Sequence, residues 1–187
     1  MTNWLQIGLA LLVLWGAMEC RAAVHPDSIA IVVNRNDPDS VALGEHYRNA
    51  RQIPARNLLQ LDLPAQQDAI DATTFTRIRQ QLEAQLTPQI QFLALAWTRP
   101  FRVDCMGITA AFAFGFSRNH CASGCNATAI SPYFASQSRA PFTDFGMRPA
   151  MLLAGATPVS ARALIDRGKA SDGTFPYNGD GYVLDTS

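Results

Sequence analysis

The chain has 187 residues, 48% hydrophobic and 16% charged. That balance suits one folded domain with a substantial core and excludes a disordered or low-complexity chain. The formal net charge is zero, which argues against a nucleic-acid partner held by a basic field. Of the 15 basic residues all but Lys169 are arginine; a compositional bias explains that count more simply than a need for bidentate anion contacts.

The first predicted element is an apolar run from Leu5 to Met18. It is too short for a confident membrane span and has the length of a signal-peptide core, with small residues following at Ala22 and Ala23. The reading is a signal peptide over residues 1–23, hence export to the periplasm or beyond, with no stable membrane span after cleavage. The alternative is an uncleaved N-terminal anchor helix, since no Lys or Arg precedes the run. Residues 24–187 then form one α/β domain.

Within that domain SIAIVVNRND begins with a continuous β-branched run, the pattern of a strand buried on both faces. DPDSVALGEHYRNARQIP predicts a helix capped by Asp39 or Ser40, with Val41, Leu43, Tyr47 and Ala50 on its apolar side and Pro54 beyond its end. NLLQLDLP predicts a second strand and AQQDAIDA a polar loop. A second helix follows, capped by Thr73 or Thr74, with Phe75, Ile78, Leu82 and Leu86 at helical spacing. QFLALAWTRP predicts a third strand, and GITAAFAFGF reads equally as a short buried helix or an inserted strand. Residues 117–147 form a long irregular insertion, of the kind that is usually functional or cross-linked. RPAMLLAGA, TPVSARALIDRGKASDG and GYVLDTS close the domain as strand, helix and strand. The helix shows Ala161, Leu164 and Ile165 on one side, and Gly168 or Gly173 ends it. The order β-α-β-α-β-insertion-β-α-β predicts a three-layer α/β fold, a mostly parallel sheet with helices on both faces. A final strand with nothing to cover it suggests a piece of a longer protein.

Ligands of open parallel sheets bind beyond the carboxyl ends of the strands. Those ends carry Asn34, Arg35, Asn36 and Asp37, then Asp62, then Thr98, Arg99, Arg102, Asp104 and Cys105, then Thr157 and Ser160. Asn34, Asp37, Arg99 and Cys105 are the candidate ligand-binding residues. Arg99 leads because it follows a buried strand and precedes Pro100, a rigid place for a carboxylate or phosphate clamp. Each of these residues also has an ordinary reading as a loop polar group or cap.

After signal cleavage three cysteines remain, Cys105, Cys121 and Cys125. Export favours a disulfide, either Cys121 with Cys125 or one of them with Cys105. Zinc is the weaker reading: Cys105, His120, Cys121 and Cys125 match a four-ligand set, but the adjacent His120 and Cys121 rarely converge on one ion. A nucleophilic cysteine needs a base beside it, for which His120 and His46 are candidates. No dinucleotide, Walker, nucleophile-elbow or zincin motif is present, so no catalytic residue and no cofactor is assigned.

The stretch VVNRNDPDSVALGEHYRNARQIPARNLLQLDLP carries a resemblance. Val33, Asn34, Pro38, Ser40, Val41, Leu43, Tyr47, Arg51, Ile53, Pro54 and Asn57 match the opening of a family of exported bacterial proteins that co-occurs with the exosortase protein-sorting system. ALAWTRPFRVDCMGITAAFAFGF and ARALIDRG are similar to later segments of that family, so the resemblance covers about residues 28–187. Its members are considerably longer, which implies that this chain is an N-terminal portion. The resemblance implies a role in cell-envelope or surface protein sorting with an envelope protein as partner, and no established activity. The family's organisation is loosely similar to caspase-like and gingipain-like cysteine peptidases, which implies the alternative of a hydrolase with its site at the strand ends. The His-Gly and Ala-Cys signatures of such peptidases are missing here. The other non-catalytic alternative is a binding protein that uses the 117–147 insertion for recognition.

Overall fold

The computed structural model describes residues 24–122, 124 and 126–174. In chain order its main elements are β1 (Ile29–Asn34), α1 (Pro38–Arg51), β2 (Leu58–Leu61), β3 (Ala69–Ile70), α2 (Ala72–Glu83) and β4 (Phe92–Leu95). They continue with β5 (Arg102–Val103), β6 (Met106–Gly107), α3 (Ile108–Phe114), α4 (Pro141–Phe145), β7 (Ala150–Leu152) and α5 (Pro158–Ala170). The main sheet has the order β2-β1-β4-β7, and all its pairings are parallel. The architecture is the expected three-layer α/β fold.

Strand β1 is central because its residues leave no polar face. Ala30, Ile31, Val32 and Val33 are all fully buried. Alternation sends Ile31 and Val33 to one face, where they meet Leu43 and Tyr47 of α1 and Ala161 and Ile165 of α5. Ala30 and Val32 face the other way, onto Phe75, Ile78 and Leu82 of α2 and Phe112 of α3. Helix α1 lies very close to the sheet. A Cβ on Gly44 would sit 2.2 Å from Val33 Cγ1, so only glycine allows that approach.

Several local expectations are corrected. The loop AQQDAIDA contains β3, which joins β5 and β6 in a second, three-stranded sheet. Helix α1 is capped by Asp37, not by Asp39 or Ser40, because Pro38 with its preset φ takes the first helical position. Likewise Asp71, not Thr73 or Thr74, caps α2 by accepting from Thr74 N at 2.9 Å. GITAAFAFGF resolves as helix α3, whose Ile108, Ala111 and Phe112 are buried. Helix α5 runs through Gly168, and Leu164 turns 45% of its surface outward instead of joining Ala161 and Ile165. The insertion holds a 3-10 turn (Arg118–His120) and α4, and Gln91 Oε1 accepts from the Phe142 and Thr143 amides of α4. The signal peptide and the strand expected at GYVLDTS lie outside the described residues. Among the described residues no helix is long and apolar enough to cross a membrane.

Candidate ligand cleft at the strand carboxyl ends

From β1 the chain crosses to β2 on one side and later to β4 on the other. The carboxyl ends of β1 and β4 therefore flank the point where strand order reverses, the usual ligand crevice of such sheets. A cleft of about 620 Å³ occupies it. The volume lies in the range of small-molecule sites.

The floor of the cleft is a relay through one hydroxyl. Along the β1–β4 ladder Ala96 N donates to Val32 O at 2.9 Å, so the next rung of a parallel pair would run from Asn34 N to Ala96 O. The strands part there instead. Asn34 N donates to Ser40 Oγ at 2.8 Å, and Ser40 Oγ donates to Ala96 O at 2.6 Å. Ser40 is buried in the first turn of α1, and its hydroxyl satisfies both orphaned backbone groups while holding the strand ends apart.

Asn34 is equally committed. Its Nδ2 donates to Leu63 O, and its Oδ1 accepts from Leu63 N and Asn36 N, each at 3.1 Å. It is fully buried and fastens the β2 exit to the β1 exit. Asn34 does not line the cleft; Asp37 and Arg99 do. Asp37 spends one carboxylate oxygen on Asp39 N at 3.0 Å as the α1 cap. Arg99 pairs with Asp68 at 2.8 Å, both side chains about half exposed. Its neighbour Trp97 is anchored below by Nε1 donating to Pro100 O at 2.9 Å.

The adjoining wall comes from β7 and α5. Gly155 makes that turn possible, because a Cβ there would lie 2.6 Å from Ala161 N and from Ser160 Oγ. Thr157 caps α5 in a reciprocal box with Ser160. Arg162 reaches the cleft one turn later, and Asp39 reaches it from α1. Neither side chain has a hydrogen bond or ion pair among the described residues. The cleft thus presents free charges of opposite sign on α1 and α5, and Gln66, Trp97 and Thr98 also line it.

No protein-family model matches this chain, and neither a curated protein nor a solved structure matches it.

The other residues singled out in the sequence fall elsewhere. Arg35 and Asp62 form a bidentate pair across the β1 and β2 exits, and the hydrogen bonds from Arg35 hold the Asp62 carboxyl below its ordinary range. Arg102 donates to Asp104 O at 3.2 Å in the β5–β6 hairpin, whose turn has Asp104 at φ 45°. Cys105 follows Asp104 in that turn and is bonded to Cys121, with Cα atoms 5.3 Å apart. Of the pairings left open by the sequence, this one ties the insertion to the hairpin; Cys125 lies outside the described residues. With their sulfurs joined, Cys105 and Cys121 supply neither zinc thiolates nor a free nucleophile. Among the described residues no three metal-type ligands converge. His120 packs on the Phe114 ring with centroids 4.5 Å apart. His46 bonds Asp166 at 2.7 Å, linking α1 to α5.

Three features of the site escaped sequence reasoning: the Ser40 relay, the Gly155 turn and the free Arg162. Ser40 and Gly155 each sit beside a proline-led helix start, which is the only local signal for them.

Proposed function

We propose that this is an exported cell-envelope protein that binds a small polar ligand in the strand-end cleft, in the setting of surface protein sorting. The observation that carries the binding reading is the pair of free opposite charges, Asp39 and Arg162, facing one cleft from two helices. Such walls favour a ligand with charges of both signs, for which short peptides are the first probe. Export is supported by the Cys105–Cys121 bond, which persists in oxidising compartments, and by the apolar run at residues 5–18. The link to sorting, with an envelope protein as partner, rests on the resemblance around Asn34, Ser40 and Tyr47.

The hydrolase alternative would use the same cleft but needs a nucleophile with a base beside it. Among the described residues the lining holds the Ser40, Thr98 and Thr157 hydroxyls and no His or Cys. Ser40 and Thr157 are spent on backbone groups. The cleft therefore supports binding better than acyl transfer.

The test is amide NMR of the oxidised chain titrated with di- and tripeptides. Saturable shifts at Thr98, Gly155 and Ala156 that vanish in Asp39→Asn and Arg162→Gln are expected. Shifts confined to other regions, or unaltered by both substitutions, would overturn the proposal. Export is checked separately by fusing residues 1–23 to a reporter active only outside the cytoplasm.

A further inference from the structure

A second groove lies away from the strand-end cleft, between α2 and the exit of α3. It has a volume of about 540 Å³ and is lined by the part-exposed Phe114 and Phe116 together with Arg79 and Glu83, over the fully buried Phe75. The charges there do not cancel. Glu83 meets two guanidinium groups: Arg148 Nη1 bonds Glu83 Oε2 at 2.9 Å, and Arg79 Nε lies 3.8 Å from Glu83 Oε1. Arg148 is otherwise satisfied. It is only 5% exposed, its Nε donates to Ile90 O at 2.9 Å, and its guanidinium stacks 3.4 Å from the Phe142 ring centroid. Arg79 is not. Its Nε is buried without a hydrogen-bond partner, and 3.8 Å is beyond hydrogen-bond reach of Glu83.

One carboxylate shared by two arginines leaves one positive charge, and that charge sits in a groove with Phe114 and Phe116. A buried guanidinium N–H without an acceptor is costly to the free protein. The backbone makes room for this arrangement. Gly115 has φ +95°, and a Cβ on it would lie 2.4 Å from Arg79 Nη1. Glycine at 115 is thus favoured by its conformation, and the Arg79 guanidinium end occupies the space a Cβ would take.

We propose that this groove binds a small monocarboxylate with an aromatic body. The carboxylate takes a charge-assisted bond from Arg79, and the ring packs against Phe114 and Phe116. This proposal is independent of the strand-end cleft, which uses none of these residues.

3-Phenylpropionate and its neutral amide, 3-phenylpropionamide, are the probes. Each is titrated into the oxidised chain and followed by amide NMR at residues 114–116. The acid is expected to bind saturably there, about tenfold or more tighter than the amide, because only the acid can answer the guanidinium. In Arg79→Gln the acid is expected to fall to the affinity of the amide. Arg77→Gln removes an exposed charge on the same helix that does not line the groove, and should bind like the parent chain. Cooperative thermal unfolding in both variants ensures that folded proteins are compared. Equal affinity of acid and amide, no saturable binding of the acid, unchanged binding in Arg79→Gln, or equal losses in both variants would each overturn the proposal.

Discussion

Replacing Ser40 with alanine removes a single oxygen from the floor of the cleft, and the structure sets its cost. The hydroxyl accepts from Asn34 N at 2.8 Å and donates to Ala96 O at 2.6 Å, and the residue is 2% exposed. Neither backbone group gains another protein partner when it leaves. A buried polar group without its partner costs about 1–3 kcal/mol, so the two together predict about 2–6 kcal/mol of lost stability. Such a loss exceeds what capping explains, since Asp37 and not Ser40 caps α1. Urea unfolding should show the midpoint falling with the slope unchanged, the signature of lost stability in an intact fold. Hydrogen exchange at the Asn34 amide should accelerate more than at Val32, which lies within the regular ladder. A loss below about 0.5 kcal/mol, the scale of an ordinary surface substitution, would refute the relay.

Gly44→Ala puts a methyl 2.2 Å from Val33 Cγ1 and should cost about 1–3 kcal/mol by overpacking. Val33→Ala in the same chain should recover part of that loss in a double-mutant cycle, and strict additivity would show that the clash is absent. Reducing the Cys105–Cys121 bond opens a loop with a sequence separation of 16 and should lower unfolding stability by about 3 kcal/mol. Alkylation followed by mass spectrometry should label these two cysteines only after reductant; labelling of both in the untreated protein would overturn the assignment. Asp62, Asp71 and Asp172 are all held below the ordinary carboxylate range, mainly by hydrogen bonds from Arg35, from the Thr74 backbone and from Arg51 respectively. A carboxyl whose folded pKa is depressed binds fewer protons in the folded state, so its stabilisation is present above about pH 4 and is lost as pH falls through the folded values. The denaturation midpoint should therefore decline below about pH 4, and less steeply in Asp172→Asn; a midpoint flat from pH 5 to 2.5 would refute this.

The long-range order was legible where hydrophobic pattern is strong. The β-branched run Ile29 to Val33 has the pattern of a two-faced buried strand, and Ala30 to Val33 are buried; Phe75, Ile78 and Leu82 share a helical stripe that the structure also buries. Two-residue strands such as β3, β5 and β6 are shorter than any periodicity, so the second sheet left no trace. The α1 cap was misassigned by two or three residues because Asp37, Asp39 and Ser40 are all good capping types, and only the Pro38 ring selects among them. At the sites, chemistry was legible but direction was not. Asn34 reads as a polar group at a strand end, and nothing local reveals that it turns inward to Leu63, 29 residues on. Ser40 meets Ala96 across 56 residues, and Glu83 meets Arg148 across 65. Such contacts are set by how the helices dock, which residue spacing along one element cannot encode.

Helices α1 and α5 have a mechanical consequence for the cleft. Their amino ends carry Asp39 and Arg162 into it, while farther along His46 bonds Asp166 and Arg51 bonds Asp172 at 2.6 Å. Exposed pairs of this kind add little energy, but Leu43, Tyr47, Ala161 and Ile165 lie in one buried cluster between the helices and the sheet. The two helices therefore behave as one stiff jaw, and the backbone positions of Asp39 and Arg162 are fixed relative to each other by that packing. Adaptation falls to the opposite rim, where Ala65 and Gln66 line the cleft and Asp68 is held to Arg99 by a half-exposed ion pair. Breaking the Asp68–Arg99 pair would reshape that rim without disturbing the jaw, so the two walls of the cleft differ in stiffness.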